Sequence, residues 1–152
     1  MPLVTRTARA FIVAGLSLSG VATLEYAVDF FVHTGGIGWP WYLYVQVVAS
    51  PIIALTQAGG WLLLTAIRTD ADGRRRAARA LGVFAASSFA AAASSAALVV
   101  NFARLSAGGE PVAQSWTEFV GSVLALIGFA TARHALAVPV ADAQLDDDTA
   151  TS

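Results

Sequence analysis

Two acidic side chains and a histidine interrupt an otherwise apolar helical stretch. In Gly20 to His33, GVATLEYAVDFFVH, Glu25, Asp29 and His33 recur every four positions, which stacks them on one face of a helix. Ionisable groups within hydrocarbon are costly and by default mark a functional site that faces protein or water. A third acid, Glu118, falls in the last apolar segment. Carboxyls held in different surroundings can divide general acid and base roles, and an enclosed carboxyl can exchange a proton or hold a cation. Glu25, Asp29 and Glu118 are therefore the candidate catalytic or proton-exchanging groups.

Seven further residues are candidate ligand contacts: Tyr26, His33, Trp41, Gln46, Asn101, Arg104 and Trp116. Arg104 is a permanent cation and His33 a conditional one. Three acids against these two leave negative charge in excess, so one or more carboxyls should carry a proton or be matched by a bound cation. The aromatic residues could hold an organic cation by cation-π contact. A blander arrangement is a clasp that registers the helices, with Arg104 on Glu118, His33 on Asp29 and a neutral Glu25 hydrogen-bonded to Tyr26 or a helix neighbour. Glu25, Asp29 and His33, joined by Glu118, could also ligate a metal, although that spacing matches no recognised signature. No cofactor is expected.

Absent residues narrow the field. With no cysteine, disulfides, thiolate metal sites and thiol-based redox chemistry are excluded. The sequence contains no P-loop, nucleotide-binding glycine pattern, HExxH or Ser-His-Asp constellation. All nine basic residues are arginines, and they lie beside apolar segments, so nucleic acid is not an expected partner.

The elements that must position these residues are membrane spans. The 152 residues are 57% hydrophobic and 12% charged, about half the charge of an average soluble domain. Four apolar segments, about 8–33, 41–67, 80–103 and 114–138, predict an all-α fold, an integral membrane four-helix bundle occupying 1–140. Residues 141–152 read as an acidic disordered tail. Ala10 to Leu24 has the length of a signal-peptide core, but apolar character resumes after Glu25 and favours a span. Gly35, Gly36 and Gly38 break the chain before the second span, where Pro51 should release the Val47 carbonyl and kink the helix. Arg68 to Arg79 reads as a charged loop. In the third span Ser87, Ser94 and Asn101 recur every seven positions, and in the fourth Gly121, Ala125, Gly128 and Ala132 form a flat packing stripe.

Eight arginines fall on the side of the termini and the Arg-rich loop, against Arg104 alone on the other. The positive-inside rule places the termini in the cytoplasm of a multi-pass cell-membrane protein. Counting ~1.5 Å per residue from each outer helix end, Asp29, Gln46, Asn101 and Glu118 lie ~4 to 8 Å deep and Glu25, Ser50 and Ser122 ~12 to 14 Å. His134 then lies about a membrane thickness from His33, so the two cannot share a metal or haem within one chain.

These expectations converge on a carboxylate-rich polar pocket open to the outside. The leading reading is an accessory subunit or a proton- or cation-handling unit, acting as a homo-oligomer or with partner membrane subunits. The alternative is a membrane-embedded acid/base enzyme, a cyclase, isomerase or epoxide-opening catalyst, acting on a lipophilic substrate. A carboxylate in the first helix of a small four-helix chain resembles, in plan, the small multidrug resistance transporters. LEYAVDFF does not match that family's flanking pattern, and no residue assignment carries over. The arginine cluster is a topology signal first and a candidate contact for anionic lipid headgroups second.

Overall fold

The computed structural model describes residues 3–34, 41–67, 71–105 and 113–137, with the side chains of 3–5, 33, 34, 42, 71 and 101–105 outside that description. Helix α1 (Leu3–Val28) runs into a π-helical segment, Asp29–Thr34; α2 (Trp41–Thr65), α3 (Ala71–Leu105) and α4 (Ala113–Ala137) follow. All four helices are long and apolar enough to cross a membrane. The chain is an all-α, multi-pass integral membrane protein. The glycine loop at 35–40, the connection at 106–112 and the acidic tail at 141–152 lie outside the described residues.

The helices share one packing logic. Buried positions on α1 (Ala8, Ile12, Gly15, Ser19, Ala22, Tyr26) and α4 (Ser115, Glu118, Ser122, Ala125, Phe129, Ala132) alternate steps of three and four, the seam of a bundle packed like a coiled coil. Helix α4 packs chiefly on α1 and α3, α2 closes against α1 and α3, and α2 and α4 barely touch across the diagonal. The α1–α4 contact is the tightest. A Cβ on Gly15 would fall 2.6 Å from both the Ala125 amide nitrogen and the Gly121 carbonyl oxygen. The expected small-residue stripe of α4 is buried, and α1 is the partner that covers it.

Two details depart from the sequence reading. The arginine stretch is not a loop: Arg74, Arg75, Arg76 and Arg79 occupy the first turns of α3. Alanine and arginine favour helix, and Asp72 in the first turn suits the positive end of the helix dipole. At 35 residues, α3 is ~52 Å long and overhangs a hydrocarbon core of ~30 Å. On the same helix Ser87 and Ser94 are exposed, while Ser88 and Ser95, one position on, are buried with Leu81, Ala85 and Ala92. As expected, Pro51 lies inside α2.

The bundle interior is divided along its length. Toward the Arg-rich end, Ala8, Ile12, Leu64, Leu81, Ala85, Ala125, Phe129 and Ala132 form an apolar core. Phe84 and Phe129 stack at 5.7 Å between ring centres and close over Gly60, where an added Cβ would meet the Phe129 ring at 2.5 Å. Above them, toward the Arg-poor end, buried polar side chains (Ser19, Ser50, Ser95, Glu118, Ser122) are interspersed with Ala22, Leu43, Leu98 and Val99.

Candidate functional site

Glu118 is completely buried, and neither carboxyl oxygen has a hydrogen-bond partner among the described residues. It lies on the α4 seam between Ser115 and Ser122, at the level where α1 and α2 also present polar atoms. Ser19, Ser50, Ser95, Ser122, Gln46 and Gln57 are each no more than 3% exposed. Of these, the hydroxyls of Ser19, Ser95 and Ser122, both amide atoms of Gln57 and the Gln46 Oε1 likewise have no partner among the described residues. Buried polar atoms are ordinarily almost all hydrogen-bonded. So many unmatched ones on four helices define a polar chamber.

The proton count beside Glu118 can be worked out. Thr23 donates its hydroxyl hydrogen to the Ser19 carbonyl oxygen at 2.8 Å. Its oxygen, 2.9 Å from Ser50 Oγ, must therefore accept from Ser50. A serine hydroxyl has one hydrogen, and Ser50 Oγ stands beside both Thr23 and Glu118.

At the edge of the chamber Tyr26, only 1% exposed, has its hydroxyl 2.9 Å from Ser115 Oγ. Tyr26 lies within electrostatic reach of both Glu118 and Glu25. Glu25 and Asp29 line a separate groove of about 380 Å³ between α1 and the start of α4, with Val21, Leu24, Val28, Ala113 and Gln114. One Glu25 oxygen, Oε2, is shielded and has no partner among the described residues. The three acids thus occupy two adjoining compartments and not a single recess. Among the described residues no three His, Asp or Glu side chains could hold a common metal, so Glu25, Asp29 and Glu118 do not converge on one ion.

The remaining candidates divide. Gln46 and Tyr26 are in the interior. Trp41 is 76% and Trp116 47% exposed; both rings sit at the Arg-poor end facing outward, where tryptophan anchors a helix at the membrane interface, and neither lines the chamber. His33 lies in the π-helical segment Asp29–Thr34. The backbones of Asn101 and Arg104 lie in the last turns of α3; the side chains of all three fall outside the described residues. Within the expected clasp, the Tyr26 hydroxyl pairs with Ser115.

No protein-family model, curated protein or solved structure matches this chain. The likeness in plan to the small multidrug resistance transporters thus brings no family assignment.

Sequence reasoning missed Ser115, Thr23, Ser88 and Ser95. Ser115 carried a signal, one helical turn before Glu118 on the same face. The other three lie among small residues on helices whose rotation sequence left open.

Proposed function

We propose that this protein is a small polytopic membrane protein that handles protons or small cations at Glu118, on its own or as an accessory subunit of a membrane complex. The observation that carries this reading is a fully buried carboxyl with no hydrogen-bond partner among the described residues, in a chamber of similarly unmatched hydroxyls and amides. A buried uncompensated carboxylate costs several kcal/mol, so the group needs a proton or a cation. The Tyr26–Ser115 hydroxyl pair stands within electrostatic reach of both Glu118 and Glu25, and Glu25 with Asp29 faces the groove. Phe84 and Phe129 close the chamber on the Arg-rich side, which under the positive-inside rule is the cytoplasm. Exchange then occurs with the outer face.

Infrared difference spectra between acid and alkaline pH test this reading. A carboxylic-acid band present in the wild type and missing in Glu118→Gln supports it; identical difference spectra would overturn it.

A second reading has one observation in its favour. The groove that holds Glu25 and Asp29 has apolar walls of Val21, Leu24 and Val28, as an acid/base enzyme with a lipophilic substrate would require. In the native host, Glu25→Gln or Asp29→Asn should then accumulate a lipid-soluble precursor. Unchanged lipid extracts would eliminate this reading.

A further inference from the structure

At the Arg-rich end, away from the polar chamber, α2 and α3 diverge around a groove of about 300 Å³. Leu63, Ala66, Ile67, Ala77 and Ala80 make its walls apolar, and Arg76 borders it. We propose that this groove binds one anionic phospholipid of the adjacent leaflet, with the phosphate on Arg76 and an acyl chain along Leu63, Ile67 and Ala80. The assignment does not depend on the function proposed for Glu118.

Three observations select this occupant. The first turns of α3 carry Arg74, Arg75, Arg76 and Arg79, opposed within those turns by Asp72 alone. Guanidinium groups match phosphate oxygens in geometry as well as charge. Arg74 adds a shielded Nε that has no partner among the described residues. Second, the groove joins an arginine to apolar walls at the start of the span that α3 provides, as a phospholipid joins its headgroup to its chains. Third, the acidic stretch of this chain that could compete, Asp146 to Asp148, is flanked by small polar residues with Leu145 as the one large apolar side chain. It would satisfy the arginine and leave the walls uncovered.

The test uses the full chain in detergent, with lipid binding followed by native mass spectrometry and by thermal midpoint. Dioleoylphosphatidylglycerol should bind and raise the midpoint, while dioleoylphosphatidylcholine and soluble glycerol 3-phosphate should do neither. Arg76→Gln should weaken phosphatidylglycerol binding about tenfold. Ala66→Trp, at an exposed wall position, should weaken it comparably by filling the channel with every arginine in place. Arg133→Gln, at the same end but outside the groove, should change little. Equal effects of the two lipids, full binding by Arg76→Gln or Ala66→Trp, or an equal loss in Arg133→Gln would overturn the proposal. Displacement of the lipid by a peptide of residues 141–152 would assign the groove to the chain's own tail and overturn it as well.

Discussion

The hydroxyls of Tyr26 and Ser115 meet at 2.9 Å where the closed chamber of Glu118 adjoins the groove of Glu25. This contact joins α1 to α4 and is the one polar bridge described between the two compartments. Tyr26→Phe leaves Ser115 Oγ buried and unpaired, a loss of about 1–3 kcal/mol in stability. Tyr26→Phe with Ser115→Ala removes both partners and should recover most of that loss. Thermal or denaturant unfolding of the two variants checks this, and equal stability of the single and double variants would contradict it.

Glu118 separates a structural role from an exchanging one. If it serves only to fix the helices, any replacement weakens the bundle. In our account it is retained despite a stability cost, so Glu118→Leu, similar in volume, should be neutral or more stable by about 1–3 kcal/mol. The measurement is the unfolding midpoint; marked destabilisation would favour the clasp.

Packing of α1 on α4 makes a paired prediction within one helix. Gly15 has backbone of α4 where a Cβ would go, whereas Gly20 has nothing within 4 Å. Gly15→Ala should destabilise by about 1–3 kcal/mol, because backbone cannot move aside as a side chain can. Gly20→Ala should be neutral or slightly stabilising. Similar midpoints for the two would refute this packing.

Much of the fold could be read from the sequence because membrane spans are written in long apolar runs, and the α4 stripe because glycine and alanine at a fixed spacing have few other uses. The rotation of α3 could not. Serine occurs as the doublets Ser87-Ser88 and Ser94-Ser95 amid alanine, so two faces 100° apart carry nearly the same pattern, and packing alone selects Ser88 and Ser95. The same ambiguity affects the site. Sequence places Glu25 and Glu118 in one recess because depth can be counted along a helix, but which side of Tyr26 each acid occupies depends on helix rotation. In sequence Arg74 to Arg79 read as part of a loop because charge suggests solvent, although a helix that overhangs the membrane satisfies the same charges.

That rotation yields its own prediction. Ser94→Leu places a large apolar side chain on an exposed position and should be tolerated. Ser95→Leu forces it into the seam, where overpacking costs about 1–3 kcal/mol. Midpoints in the reverse order would show that α3 is turned the other way.

The central claim is that Glu118 exchanges a proton from within the bundle. Its most direct test is a count of protons taken up when the purified protein in nanodiscs is shifted from alkaline to acid pH, compared with Glu118→Gln in the same lipid. The account predicts that the wild type takes up one proton more than the variant. Equal counts across the full range would contradict it.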